Sequence, residues 1–234
     1  MFRKHAVAIF VIAVINLASG YSYMAWTSMT GEKTVAVNPF FYGSPLNSEF
    51  GLSTDLVAGY GFTPKLDLFA NFASLSVVGD PGSYSGSWIM PRYDFGNSAI
   101  GALFIGMAKN VDDELSLYGG PQFHFFREND NWALELNLSA MFYAEKNSDP
   151  LAGGTVAPVY KLVKQQLYLF AEFNPAYSFG DGGGFDFNIA PGLWLGIPET
   201  AHQFSLSIPL SGIKDGSVSA GINLWYWYSF SLLK

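Results

Sequence analysis

The titratable residues of this chain fit few kinds of chemistry. Of its three histidines, His124 and His202 are the two that follow the N-terminal apolar segment, and the chain has no cysteine. Metal sites cluster several His, Cys, Asp or Glu side chains, so two distant histidines do not indicate one. The acidic run Asp112, Asp113 and Glu114 favours a solvated loop over a cation site. We therefore predict no metal, no cofactor and no enzymatic activity.

Charged residues instead recur at every second position within apolar segments. Glu135 lies between Leu134 and Leu136, for example, and Asp67 between Leu66 and Leu68. Alternation of period two predicts strands whose two faces meet different environments. The predicted polar face carries Asp55, Lys65, Asp67, Arg92, Asp94, Glu114, Tyr118, Gln122, His124, Glu135, Lys161, Glu172, Asp186 and Trp194, together with Tyr168, Phe170, Trp225 and Trp227.

Composition narrows the class of protein that could present such strands. The 234 residues are 50% hydrophobic, 17% aromatic and only 13% charged. So many aromatic side chains exclude a disordered chain. A helical membrane bundle requires runs of about 20 apolar residues, and only the N-terminal segment approaches that length.

The N-terminus has the pattern of an export signal. Arg3, Lys4 and His5 precede an apolar stretch from residue 6 to 18, and small residues follow it. This pattern predicts a secretory signal over residues 1–20, whereas a membrane anchor would need a longer apolar run. Without Arg3 and Lys4, 10 of the 12 basic residues remain against 19 acidic ones, a net charge of −9. Such a balance argues against nucleic acid as a partner.

Turn residues divide residues 21–234 into alternating segments. Segments of about ten residues that have unlike faces and are separated by turns are typical of a transmembrane β-barrel. We predict an all-β, antiparallel barrel of about twelve strands, at 33–42, 50–62, 65–77, 88–95, 98–108, 114–126, 131–144, 154–162, 166–178, 185–196, 203–210 and 218–230. Ten strands is the alternative, because seven prolines fall inside these segments and proline cannot donate to a ladder. They are Pro39, Pro91, Pro121, Pro158, Pro175, Pro191 and Pro209.

The connections between these segments alternate in length. Short turns at 63–64, 96–97, 127–130, 163–165 and 197–202 are expected at the periplasmic end. Longer loops at 44–48, 78–87, 109–113, 145–153, 179–184 and 211–217 are expected outside the cell, and they are richer in Gly, Asp, Asn and Ser.

Two stretches resemble those of bacterial outer-membrane β-barrels of the small porin-like and transporter-like class. Residues 60–68 (YGFTPKLDL) resemble a tight periplasmic hairpin of that class. The last segment resembles its C-terminal assembly signal, carried here by Gly221, Leu224, Tyr226, Tyr228 and Phe230, although four residues follow Phe230. The resemblance implies export through the Sec route and the periplasm, insertion by the barrel-assembly machinery, and residence in outer-membrane lipid.

Three functions remain open on this interpretation. The ten charged residues of the polar face would line the lumen, and seven acids less three bases leave it at −4. This charge favours a narrow passive channel or transporter with mild cation preference, for small hydrophilic or aromatic solutes. The first alternative is a closed barrel with a structural or surface-interaction role. The second is a secreted, soluble β-barrel that binds an apolar ligand. The sequence leaves the solute and the oligomeric state open.

Overall fold

The computed structural model describes residues 29–43, 51–78, 81–109, 115–145, 149–164, 166–180 and 183–232. The predicted signal at 1–20 and Glu114 lie outside the described residues. The strands are β1 (Thr34–Gly43), β2 (Leu52–Thr63), β3 (Leu66–Val78), β4 (Tyr84–Gly96), β5 (Ala99–Lys109), β6 (Leu115–Glu128), β7 (Trp132–Tyr143), β8 (Leu151–Val163), β9 (Leu167–Ser178), β10 (Phe185–Gly196), β11 (His202–Ser207), β12 (Leu210–Ser211), β13 (Ser219–Ala220) and β14 (Ile222–Ser231). No described segment forms a helix long and apolar enough to cross a membrane.

The strands close into a twelve-stranded antiparallel barrel, which confirms the predicted fold. From β1 to β10, successive strands pair with one another. β10 also pairs with β11 and β12, β12 pairs with β13, and β14 pairs with both β1 and β11. β11 and β12 form one barrel strand interrupted at Pro209, and β13 and β14 form another interrupted at Gly221. Closure leaves no free strand edge, so backbone N–H and C=O groups find partners within the sheet.

The two ends of the barrel differ in their connections. At the end that we call the short-turn end, β2–β3 and β4–β5 are joined by residues 64–65 and 97–98. Asn97 and Ser98 both have positive φ, 55° and 61°, as a type I′ hairpin turn requires. At the opposite end, the loop end, the connections between successive strands are longer, including residues 44–51 and 144–150.

The prolines are accommodated within the strands. Six of them are paired with a residue of one neighbouring strand, as Pro158 of β8 is with Leu134 of β7. None of the six has a paired residue in the strand on its other side, as Pro158 has none in β9. Proline has no N–H, so it cannot donate a hydrogen bond to the strand on that side, which explains why pairing is interrupted there. Pro209 instead separates β11 from β12. The prolines therefore do not reduce the strand number to ten.

The two faces of the sheet differ in accessibility. Large apolar side chains such as Leu103, Phe123 and Leu138 are exposed on the outer face. The inner face is largely buried, and its apolar side chains form two clusters. One surrounds Trp88 and Trp225, and the other consists of Ala133, Ala157, Val159, Tyr168, Phe170 and Trp194. The barrel is thus apolar outside and mixed inside, as alternation predicts.

Glycines on the inner face allow rings to lie directly on the backbone. Gly59 pairs with Phe69, and a Cβ added to Gly59 would lie 2.4 Å from the Phe69 ring. Gly192 bears the same relation to Phe170. A larger residue at either position would push the ring away, so these glycines determine how the inner rings pack.

Candidate functional site in the barrel interior

The structure places nearly all of the predicted lumen residues on the inner face. Nine are buried there: Asp55, Asp67, Arg92, Tyr118, Gln122, His124, Glu135, Glu172 and Trp194. Asp94, Lys161 and Asp186 are half-buried on the same parity. Tyr168, Phe170, Trp225 and Trp227 are buried there as well.

Lys65 departs from the prediction. It was expected at the start of a strand, but it lies in the turn between β2 and β3 and is exposed. Its amide donates to Thr63 Oγ1 across this turn, and its carbonyl accepts from Asp94 N of β4. β3 therefore begins at Leu66, and Asp67 is the first residue of that strand to reach the interior.

An ion pair between Asp67 and Arg92 is fully buried in the interior. Arg92 Nε donates to Asp67 Oδ1 at 2.8 Å and its Nη2 to Oδ2 at 2.6 Å, and both side chains are 0% exposed. The guanidinium also lies 4.5 Å from the centre of the Phe69 ring. Register brings the pair together, because Asp67 of β3 is directly opposite Arg92 of β4. Bidentate pairing of this kind fixes both groups in position.

The same carboxylate holds the chain that precedes β1. Thr30 donates to Asp67 Oδ2 through its amide at 2.8 Å and through Oγ1 at 3.0 Å. Gly31 lies so close to Gly61 that a Cβ on Gly61 would meet Gly31 O at 1.6 Å. Residues 30–31 are thus fastened to the inner wall at the short-turn end.

Lys161 lies on the inner face but turns its charge toward the short-turn end. Its Nζ forms an ion pair with Glu128 and donates to Asn129 O at 2.8 Å. A long lysine stem allows the ammonium to reach the barrel rim while its methylenes remain buried. Lys161 therefore places its charge at the mouth rather than in the middle of the barrel.

Buried amides form a network that was not among the predicted site residues. Thr155 Oγ1 donates to Asn174 Oδ1 at 2.6 Å, and Asn174 Nδ2 donates to Asn188 Oδ1 at 2.8 Å. Asn38 and Asn71 are also buried on the inner face. In each strand these residues lie on the same alternating face as the charged residues, so uncharged polar residues at those alternate positions could have been predicted as well.

A second polar group lies on β6 and β7. Both ring nitrogens of His124, Oδ1 of Asn137 and Oε2 of Glu135 have no hydrogen-bond partner among the described residues. His124 is 1% exposed and Glu135 3% exposed. Within the described part of the chain, no three His, Cys, Asp or Glu side chains are arranged to hold a metal ion.

The charge of the inner face is acidic in the described residues as well. Without Glu114, six of the seven predicted acids remain, and without Lys65, two of the three predicted bases remain, so the balance is still −4. Arg92 is committed to Asp67, and Lys161 to Glu128. The middle of the barrel therefore carries more carboxylates than basic groups.

The residues of the predicted assembly signal lie on the last barrel strand. Leu224, Tyr226, Tyr228 and Phe230 are on the outer face, and Gly221 separates β13 from β14. Tyr226 OH lies 2.7 Å from His202 Nδ1, and the His202 ring stacks on Tyr228 at 4.7 Å. This group resembles the belts of aromatic residues at membrane interfaces.

Comparison with known proteins identifies bacterial outer-membrane β-barrels as structural neighbours. No protein-family model matches the chain, and no curated protein matches it significantly. The translocator domain of the autotransporter NalP from Neisseria meningitidis is similar with a TM-score of 0.53 and 12% identity, over 98% of each chain. At this identity the likeness shows the fold alone.

Two further barrels are less similar. The transport unit of the autotransporter AIDA-I from Escherichia coli has a TM-score of 0.40 and 10% identity over 94% of this chain and 97% of its own. The outer-membrane channel DcaP of Acinetobacter baumannii has 0.37 and 14%, over 82% and 72%. These two scores add no argument about the fold.

Proposed function

We propose that this protein resides in the bacterial outer membrane as a narrow passive channel or transporter for small hydrophilic or aromatic solutes, with mild preference for cations. The observation that carries the proposal is the sorting of side chains across one closed barrel. Apolar residues cover the outer face, whereas the inner face carries carboxylates and amides among its aromatic rings. Lipid outside and a polar pathway inside are the two environments that such sorting fits.

The outer face supports the membrane location. Leu103, Phe123, Leu138 and Leu169 are each more than two-fifths exposed, and they lie on neighbouring or nearby strands. Soluble proteins rarely expose a contiguous apolar surface of this kind. The secreted soluble barrel is therefore the weakest of the three interpretations.

The inner face supports the cation preference. Asp55, Glu135 and Glu172 are buried along the interior, and the buried base Arg92 is bound to Asp67. Rings of carboxylates favour cations in channels, because the carboxylates replace part of the hydration of a cation. A twelve-stranded barrel is narrower than the wide porins of 16–18 strands, which fits small solutes.

A closed barrel is the second candidate, and one observation favours it. Large rings, including Trp88, Phe104, Tyr118, Trp225 and Trp227, are packed together in the interior. Interiors of small barrels are filled by side chains in this way and conduct nothing. Such a barrel would have a structural or surface-interaction role.

We further propose that the chain is exported through the Sec route and inserted by the barrel-assembly machinery. The short-turn end then faces the periplasm, since short turns are typical of that side. The outward aromatic residues of β14 support this partner.

Two measurements, made one after the other, test the proposal. The protein, refolded into phospholipid vesicles, is expected to migrate differently in gel electrophoresis with and without heating, because a folded membrane barrel resists detergent. It is then expected to produce single-channel steps in a planar bilayer. A folded, membrane-inserted protein that never conducts would overturn the channel and leave the closed barrel.

A further inference from the structure

One patch of the interior combines several buried polar atoms that have no protein partner. His124 of β6 is directly opposite Asn137 of β7, and Glu135 is two residues away from Asn137 on the same face. Side chains diagonally related across two strands lie about 7–8 Å apart at their backbones, within reach of one another. The imidazole, the amide and the carboxylate therefore occupy one patch of the inner wall.

The free-energy cost of burying these polar atoms without hydrogen bonds indicates that a ligand binds them. A buried polar group without a hydrogen bond costs about 1–3 kcal/mol. Native proteins leave few such groups, and each calls for an explanation. Here four atoms in contiguous positions have no partner among the described residues: Nδ1 and Nε2 of His124, Oδ1 of Asn137 and Oε2 of Glu135.

The polar atoms of this patch are mainly hydrogen-bond acceptors. A carboxylate and an amide oxygen accept hydrogen bonds, and a neutral imidazole offers one acceptor and one donor. A ligand that satisfies them must supply mainly N–H or O–H donors. A cation beside Glu135 would be attracted to its carboxylate, so a ligand that is also a cation is favoured.

The surroundings restrict the cation further. Glu135 is opposite Ala157 of β8, and Glu172 is opposite Ala190 of β10. Both alanines are at most 1% exposed, so the two carboxylates lie in a part of the interior that is shielded from bulk solvent. On its other side Glu135 is opposite Phe126, which packs against the cluster that contains Tyr168, Phe170 and Trp194. Aromatic faces attract organic cations.

We propose that His124, Glu135 and Asn137, with Glu172 nearby, form a binding site for a small protonated amine. The proposal rests on the channel function proposed above and names the class of solute. The amine donates its N–H groups to Glu135 and Asn137, and its alkyl part lies against the rings. Divalent metals are a poorer fit, since the described His, Cys, Asp and Glu side chains form no group of three that could hold one.

The test uses residues 21–234 in phospholipid nanodiscs, with ethylammonium chloride as the probe. Nuclear magnetic resonance of the histidine rings gives an internal control, because His202 lies on the outer face and is bonded to Tyr226. The ring signals of His124 are expected to shift saturably with ethylammonium, and those of His202 to stay in place. Tetramethylammonium has the same charge and no N–H, so it is expected to bind at least about tenfold more weakly.

Variants test the role of Glu135. E135Q is expected to weaken ethylammonium binding at least about tenfold, because a charge-assisted hydrogen bond is lost. D186N is the matched control: it also removes one inner carboxylate, but Asp186 lies toward the loop end and accepts from Phe187 N. It is expected to change the affinity less than twofold. E172Q is a second variant, with a smaller loss expected.

The outcomes separate this proposal from the channel itself. No saturable shift at His124, equal binding of the two probes, or equal binding by E135Q and wild type would overturn the site. The comparison of the two probes uses wild-type protein, so it stands even if E135Q does not fold. Conductance without binding would overturn the site and keep the channel, whereas binding without conductance would overturn the channel and keep the site.

Discussion

The buried ion pair between Asp67 and Arg92 gives the strongest prediction about stability. Replacement of Asp67 by Asn keeps the shape of the side chain but removes the charge that accepts two bonds from Arg92 and two from Thr30. Breaking a buried ion pair by removing one partner costs about 3–5 kcal/mol. We therefore expect D67N to lower the free energy of unfolding by about that amount.

An exposed ion pair of the same barrel provides the control. Lys164 Nζ lies 3.3 Å from Asp130 Oδ1, and the two side chains are 67% and 90% exposed. Exposed pairs contribute about 0–1 kcal/mol, because water screens them and their side chains lose entropy. D130N makes the same chemical change at this site, so we expect it to leave the stability within about 1 kcal/mol of wild type.

The assay is unfolding by guanidinium of the barrel in phospholipid vesicles, followed by tryptophan fluorescence. A double-mutant cycle with R92M isolates the coupling between the two side chains. We expect the double variant to lose less stability than the sum of the losses of D67N and R92M, because the interaction is counted in both single variants. Equal stability of D67N and D130N, or additive losses in the cycle, would refute the view that this pair fixes β3 against β4.

Three other predictions concern the outer face, the inner packing and the backbone ladder. Leu138 lies outward near the middle of β7, so L138R should destabilise the barrel in vesicles by about 2–4 kcal/mol, whereas L138A should cost much less in the same unfolding assay. G59A should push the Phe69 ring from its place and cost about 1–3 kcal/mol by overpacking; a cost below that range, with the thermal unfolding midpoint unchanged, would argue against the ring-on-glycine contact. Amides of the β8–β9 seam near Pro158 and Pro175 should exchange with deuterium faster than those of the unbroken β7–β8 ladder, and equal protection would contradict the one-sided gaps.

The fold could be predicted because a membrane-type barrel imposes its pattern on every strand. Alternation fixed the position of β7 and of β9 within a few residues, since a shift by one residue would turn every apolar side chain inward. For the same reason, the alternate residues that face the interior could be predicted from the sequence. The sequence predicts this strand from residue 88, whereas β4 begins at Tyr84, because Ser and Gly at 85–87 are typical of loops but pair within the sheet here.

The contacts of the interior could not be predicted in the same way. The pairing of Asp67 with Arg92 depends on the register between β3 and β4, which two residue types and their parity do not determine. Lys65 was placed in a strand because the charges at 65 and 67 alternate, yet the hairpin turn required that position. His124 and Asn137 are opposite one another only after β6 and β7 are aligned, so the candidate amine site was invisible in the sequence.

The proposed function requires that an acidic interior passes cations through this barrel. Its most direct test is the reversal potential of the protein in a planar bilayer under a KCl gradient at neutral pH. The inner acids exceed the inner bases, so we expect a modest reversal potential of the sign given by a K⁺-selective path. A potential of the opposite sign, which indicates chloride selectivity, or the absence of any conductance from folded protein, would contradict the account.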